Sequence, residues 1–373
     1  MPKRVARSIQ SADEVRAREL LGWYSHHRRP LPWRCSPSPY RTWIAEALLQ
    51  QTRVEQAVPY YQRFIARFPD VRTLARAPMG SVLKTWQGAG YYARARNLHA
   101  AAREIVRRHD GILPSTVTEL EALPGIGPYI ARAIASLAFG RPVVALEANG
   151  RRVAIRWWAD RGDPSSPRTA RRLTRRLEAM LPAGDAGSFN EAVMELGETI
   201  CLPRAPVCPK CPVRRYCRAY HTLPNPGALP RPKGRTRRPH VIGAVVVAER
   251  GGRVLVQRRP MQGLLGGLYE FPGGKVEPGE ATRAAAAREW REETRLPTPS
   301  LTSVGIVRHA YSHFSVELHV YRTVLGASRR WSVIGGTQRW VRWSGLARLP
   351  IPKATEKILA LIAADPRSRL SRA

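Results

Sequence analysis

Apolar residues recur at three- and four-residue steps through the first 220 positions. Trp43, Ala47 and Leu48 make one such set; Val54, Val58, Tyr61, Phe64, Ile65 and Phe68 make another. That period puts them on one face of amphipathic helices. Pro59, Pro69, Pro78 and Pro114 punctuate the segments. Strand-like alternation is nearly absent, so residues 13–221 are predicted to be mostly helical. The pattern then breaks. TLPNPGALPRPKGRTRRP (222–239) holds five prolines and five Lys/Arg, which predicts a stiff, extended, basic linker. Beyond it, IGAVVVAE (242–249) and RVLVQRR (253–259) flank Glu249-Arg250-Gly251-Gly252, a hairpin signature. ATRAAAAREWREET (281–294) predicts a helix, residues 303–324 two further strands around a turn, and KATEKILALIAA (353–364) a closing helix. The fold class expected is an all-helical part followed by an α/β module.

Charge narrows the partner. Of 373 residues, 62 are basic and 28 acidic, a formal +34, and 55 of the basic residues are arginine. Such a field suits a polyanion, nucleic acid before an acidic membrane. An apolar share of 43% with ten Trp excludes disorder. No apolar run approaches the roughly 18 residues of a membrane span. MPKRVARSIQSADE has no apolar region and turns acidic at Asp13 and Glu14, unlike a secretory signal.

Four of the five cysteines, Cys201, Cys208, Cys211 and Cys217, fall within 17 residues. Four thiolates so close need a cation between them, and four-cysteine ligation suits zinc or an iron–sulfur cluster. The spacing alone leaves both open. Arg204, Lys210, Arg214, Arg215 and Arg218 would make this loop a basic knob suited to phosphates. Cys35 stands apart and reads as structural.

Leu123-Pro124-Gly125-Ile126-Gly127-Pro128-Tyr129 lies between helical segments. Gly125 and Gly127 permit a sharp turn, and the following helix start offers free N–H groups to a phosphate. With the charge and the cysteine loop, this reads as a helix-hairpin-helix DNA module at about 120–138. Glu46 in WIAEALLQQT and Glu147 in VVALEANGRRV stand in apolar or basic text. Breaking a glycosidic bond takes an acid for the leaving group and a carboxylate for the oxocarbenium-like centre. A carboxyl among apolar neighbours has a raised pKa and can be that acid. Either glutamate alone would read as a solvated or helix-capping residue.

Together, PYRTWIAEALLQQTRVEQAVPYY, GAGYYARARNLHAAA, LPGIGPYIARAIASLAFG, LEANGRRV, FNEAVMELG and the cysteine loop resemble the MutY-type adenine DNA glycosylases, from about Leu31 to Cys217. The resemblance implies a helix-hairpin-helix glycosylase with a [4Fe-4S] cluster at the four cysteines. It implies removal of adenine mispaired with 8-oxoguanine or guanine, after the base is flipped from the duplex. It makes Glu46 the general acid, Tyr129 a partner at the sugar, Asn149 a neighbour of the catalytic carboxylate, and Glu147 that carboxylate. Trp33, Arg34 and Glu191 would surround the adenine; Gln51 and Tyr91 would wedge into the duplex. The lyase relatives carry Lys where this chain has Tyr129, so a monofunctional enzyme is expected. Two departures stand out. Glu147 replaces the family's Asp and adds a methylene, a displacement of roughly 1 Å that can cost on the order of 100-fold. Ala89 replaces a larger aliphatic residue.

The family's second domain resembles a Nudix fold that reads 8-oxoguanine, and Tyr311, Ser312 and His313 match its lesion-sensing turn. Gly274, Glu280, Arg288, Glu289, Glu292 and Glu293 nearly complete a Nudix box, and Glu289, Glu292 and Glu293 could hold Mg2+ against a pyrophosphate. Arg295 stands where the box has Gly, at a turn expected to need left-handed geometry. The expected domains are 1–221 (glycosylase, with the cysteine loop at 201–217), 222–239 (linker) and 240–373 (Nudix-like). The expectation is a monomeric cytoplasmic enzyme near the nucleoid, acting on duplex DNA with A:8-oxoguanine or A:G mispairs. The alternatives are a mispair binder weakened at Glu147 and a Nudix nucleotide hydrolase.

Overall fold

The computed structural model describes residues 12–231, 238–326 and 336–365. The chain divides into two compact units, Met1–Ala75 with Ala100–Gly234 and Arg76–His99 with Arg235–Ala373. No helix among the described residues is long and apolar enough to cross a membrane.

The helices run α1 (Ala12–His27), α2 (Pro32–Cys35), α3 (Pro39–Leu49), α4 (Val54–Arg67), α5 (Val71–Arg76), α6 (Met79–Trp86), α7 (Ala93–Arg108), α8 (Val117–Glu121), α9 (Pro128–Phe139), α10 (Ala148–Trp157), α11 (Pro167–Glu178), α12 (Ala186–Thr199) and α13 (Arg218–Thr222). In the first unit, α3 starts at a Ser38 cap that accepts from the Arg41 amide, with Pro39 in its first turn. Tyr40 and every residue from Thr42 to Leu48 are buried. The helix packs on α9, which packs on α12, which in turn meets α10 and α1. Leu20, Trp157, Leu173, Leu177, Phe189 and Leu196 close a core around the last three and α11.

The second unit includes α6 and the start of α7, which the sequence reading assigned to the first. The reason is hydrogen bonding. Lys84 Nζ donates to the Leu349 carbonyl, Gln87 Nε2 donates to Glu356, and the Arg96 guanidinium donates to the carbonyls of Gly263 and Gly266. The linker reading also needs correction. Pro226–Ala228 is a 3-10 turn, Leu229 is buried in the first unit's core, and Arg156 Nε donates to its carbonyl at 2.7 Å. Residues 232–237 lie outside the described residues.

A mixed sheet forms the second unit's centre, with β1 (His240–Arg250), β2 (Arg253–Arg258), β3 (Tyr269–Glu270), β4 (Gly273–Lys275), β5 (Thr302–Ala310), β6 (Ser315–Val324) and β7 (Gln338–Arg342). Its main order is β3-β2-β1-β6-β5, with β4 on β1 and β7 on β2. The β1–β2 hairpin turns at Gly251 and Gly252, both at positive φ. β1 and β6 are parallel. Both sheet faces are covered, so β1 reads as a continuous apolar run. Ala244, Val246 and Ala248 face α14 (Thr282–Thr294) and its Trp290; Val245 and Val247 face α16 (Lys353–Ala364), which follows the short α15 (Trp343–Leu346).

Candidate active site and cysteine cavity

Glu46 projects from the buried α3 and is only 6% exposed. Tyr129, from the first turn of α9, donates its hydroxyl to Glu46 Oε2 at 2.6 Å. Burial lifts the Glu46 carboxyl to about 7; the Tyr129 hydrogen bond opposes this, and Glu147 and Glu191 add to it. Burial and Glu46 together push the Tyr129 phenol well above its ordinary value, so it remains a neutral donor. The pair is therefore a carboxyl that keeps its proton up to near-neutral pH, hydrogen-bonded by a phenol.

Glu147 sits at the N-terminus of α10 as its cap. Its oxygens accept from the Asn149 and Gly150 amides, both at 2.5 Å. Burial raises its carboxyl while the two amides pull it down. The structure shows the helix-capping role for Glu147, and a helix start both orients a carboxylate and favours its charge.

A second layer of charge surrounds this pair. Arg34 Nε donates to Glu191 Oε1 at 2.9 Å, and Tyr24 donates its hydroxyl to Glu191 Oε2 at 2.7 Å. Arg34 also pairs with Glu195 at 3.0 Å. Trp33 is buried, edge-on to Tyr61 at 5.3 Å. Arg29 pairs with Glu195 at 2.6 Å and Glu198 at 2.8 Å. Asn149 Nδ2 donates to Glu198 at 3.3 Å, and Arg152 donates to Asn149 Oδ1 at 2.9 Å. The sequence reading missed Tyr24, Arg29, Glu195, Glu198 and Arg152. One signal was present, because Glu191, Glu195 and Glu198 stand at i, i+4 and i+7 on one face of a mainly apolar helix.

The structure brings Glu46, Tyr129, Glu147, Asn149, Trp33, Arg34 and Glu191 into the first unit. Gly125 turns the hairpin at φ +74°, and Gly127 caps α9, whose first turn has no side-chain cap. Gln51 is exposed with φ +59°, and Tyr91 has φ +46°. Gln51 belongs to the first unit and Tyr91 to the second. Ala89 is buried, and its carbonyl accepts from Arg94 at 2.9 Å.

Cys201, Cys208, Cys211 and Cys217 line a single cavity of about 370 Å³, counting its mouth, with Arg156, Trp157 and Arg214. Arg156 Nη1 approaches Cys201 Sγ at 3.2 Å and donates to the Leu202 carbonyl at 2.7 Å. Burial raises the Cys208, Cys211 and Cys217 thiols, Cys211 to about 12, so thiolates here need a cationic partner. Among the described residues no three His, Cys, Asp or Glu side chains converge as one metal ion requires.

In the second unit, Tyr311 stacks on Phe314 at 4.8 Å, and its amide donates to the Phe314 carbonyl. Ser312 and His313 are exposed at that turn, and the His313 ring meets Tyr91 at 5.8 Å. Arg288 pairs with Glu280 at 3.0 Å, Glu289 at 2.9 Å and Glu292 at 3.3 Å. Glu293 accepts the Gly273 amide at 2.7 Å, and burial lifts it to about 7. A Cβ on Gly274 would meet the Glu289 carboxyl, which would have to swing aside. Arg295 takes the expected left-handed conformation, φ +54°. Glu270, Glu289 and Glu293 border an open cleft with Tyr311, about 1640 Å³ with the solvent at its mouth counted.

Residues 44–179 match the HhH-GPD superfamily of base excision DNA repair proteins, and residues 243–361 match the NUDIX domain. The adenine DNA glycosylase of Rattus norvegicus is 32% identical over 91% of this chain and 76% of its own length. That of Homo sapiens is 31% identical over 91% and 72%. The structure of a thermostable thymine-DNA glycosylase covers 56% of this chain and 97% of its own, at 28% identity and a TM-score of 0.52. With that identity sustained across both units, the chain belongs to the adenine DNA glycosylase family.

Proposed function

We propose that this protein releases adenine from duplex DNA in which it is mispaired with 8-oxoguanine or guanine, without cutting the strand. The observation that carries the reading is the buried Glu46 carboxyl, lifted to about 7 and held by Tyr129 beside a carboxylate fixed on a helix start. Glu46 gives its proton to a ring nitrogen of the flipped adenine. The C–N bond breaks with its electron pair leaving on the base. Glu147, with Tyr129 and Asn149 beside it, stabilises the positive sugar until water adds at the same carbon. Trp33, Arg34 and Glu191 bound the adenine. Gln51 and Tyr91 distort the pair, and Tyr311, Ser312 and His313 read the opposite base. Phosphates sit at Gly125 and Gly127, where the α9 start has no side-chain cap.

Strand cleavage needs an amine for a Schiff base. Tyr129 offers none, and the seven lysines at 3, 84, 210, 233, 275, 353 and 357 lie outside α3, α9, α10 and α12. Cys201, Cys208, Cys211 and Cys217 would hold a [4Fe-4S] cluster, which when bound supplies a rigid charged staple behind α10 and α12. The Nudix box supports itself, with Arg288 occupying three of its glutamates and the Gly273 amide a fourth. We read it as structural, not as a nucleotide hydrolase.

The test is single-turnover adenine release from duplexes with adenine opposite 8-oxoguanine, guanine or thymine, run on denaturing gels with and without hot alkali. Release opposite 8-oxoguanine and guanine, with strand breaks only after alkali, is expected. No release, or breaks before alkali, would refute the reading.

A further inference from the structure

Helix α11 contributes nothing to the site described above, yet it carries five arginines. Its inner face is Thr169, Leu173 and Leu177, all buried. Arg168, Arg171, Arg172, Arg175 and Arg176 stand at i, i+3, i+4, i+7 and i+8, so they share the outer face. They surround one open concavity of about 800 Å³. Arg172 is fixed by two hydrogen bonds to Asp160, at 2.8 and 2.7 Å, and Arg176 lies over Trp158 at 5.4 Å. Arg168, Arg171 and Arg175 are exposed. The helix's single acid, Glu178, pairs with Arg132 of α9 at 3.0 Å.

Like charges four residues apart work against a helix. The helix dipole offsets this only for the arginines of the last turn. The face is therefore built against its own electrostatics, and a ligand carrying repeated negative charge would relieve it. Eight residues of helix span about 12 Å, enough to face three or four phosphates of one strand at ~3.4 Å each. The face is also separate from the reacting centre. Glu147 caps the start of α10, whereas Trp158 and Asp160, which hold Arg176 and Arg172, follow its other end.

We propose that the outer face of α11 is a second phosphate-binding surface, which holds undamaged duplex DNA independently of sequence while the Glu46 site works elsewhere. It rests on the proposed function only in taking DNA as the polyanion. Two positions with steadied guanidiniums and three with free ones suit backbone contact rather than base readout, and such contact lets a protein transfer between DNA segments.

The test compares the full chain with a triple variant, Arg168→Gln, Arg171→Gln and Arg175→Gln, leaving Arg172 and Arg176, which hold to Asp160 and Trp158, untouched. Binding to undamaged duplex is followed by fluorescence anisotropy across salt. Each lost phosphate contact removes about 0.9 from the slope of log K against log salt, so the slope should flatten by about 2 to 3. Affinity at low salt should fall at least tenfold. Adenine release at saturating enzyme should be unchanged, and the matching triple Arg→Lys variant should keep the slope. An unchanged slope, or an equal loss in the lysine variant, would overturn the proposal. Failure of the proposed function would appear separately, as absent adenine release by the parent chain with the slope change intact.

Discussion

Two glutamates, one in each unit, are lifted by burial to about 7. Glu46 accepts one phenol hydrogen bond and is pushed further up by the carboxylates of Glu147 and Glu191. Glu293 accepts a backbone amide, beside glutamates already committed to Arg288. A shifted pKa alone therefore does not separate a catalytic acid from a structural one. What separates them is the company each keeps. Around Glu46 stand a phenol that donates to it and the carboxylates of Glu147 and Glu191, the surroundings the proposed acid needs. Around Glu293 the nearest groups close a loop onto a helix.

The largest expected difference is chemical. Glu46→Gln should lower single-turnover adenine release by about 10² to 10⁴, the usual range for a general acid, while Glu293→Gln leaves it unchanged. A comparable loss in both would erase the distinction.

Packing comes next. Trp157 and Trp290 are both buried, one in each unit's core. Replacing either with Ala should cost about 3 to 5 kcal/mol, read by calorimetry. Only Trp157→Ala should also lower the visible absorbance of the proposed iron–sulfur cluster, because Trp157 lines the cysteine cavity and Trp290 does not.

Titration sharpens the comparison further. Both carboxyls hold their proton more tightly folded than the ordinary value of 4.5 allows. As pH rises from about 4.5 through about 7, the folded state gives up protons the unfolded chain has already lost, so both glutamates make stability fall across that window. Glu46→Gln and Glu293→Gln should each flatten the dependence of the melting temperature on pH. Only the first should alter the pH dependence of adenine release.

The smallest effect concerns caps. Thr116 caps α8 by accepting the Glu119 amide, whereas α14 begins at Ala281 with no side-chain cap. Thr116→Ala should cost about 1 kcal/mol and Ala281→Ser should gain a similar amount, both by chemical denaturation.

The sequence was most informative where order is local. The helix at 353–364 and the hairpin across Gly251-Gly252 follow directly from periodicity and turn residues. β3 and β4 were missed because they are two and three residues long, and β4 is mostly glycine, leaving no alternation to read. β7 is held by pairing with β2, some 85 positions away. The same limit applies to the site. Glu46 and Glu147 stand out by their apolar or basic surroundings, but their roles and that of Tyr129 came from a family resemblance, and separation in sequence hides the 2.6 Å bond between Glu46 and Tyr129. Arg29 and Glu195, 166 positions apart, meet only because α12 folds against the chain after α1. Assigning residues 76–99 to the helical unit failed for a related reason, since their helical pattern is real but their hydrogen-bond partners lie near Leu349 and Glu356.

The central claim is that Glu46 delivers the proton. Its most direct test is the pH profile of single-turnover adenine release, between about pH 5 and 9, from a duplex with adenine opposite 8-oxoguanine. The native chain should lose rate about tenfold per unit above a midpoint near 7, and Glu46→Gln should be slow with that falling limb gone. The same limb in both proteins, or near-native rates from Glu46→Gln, would contradict the account.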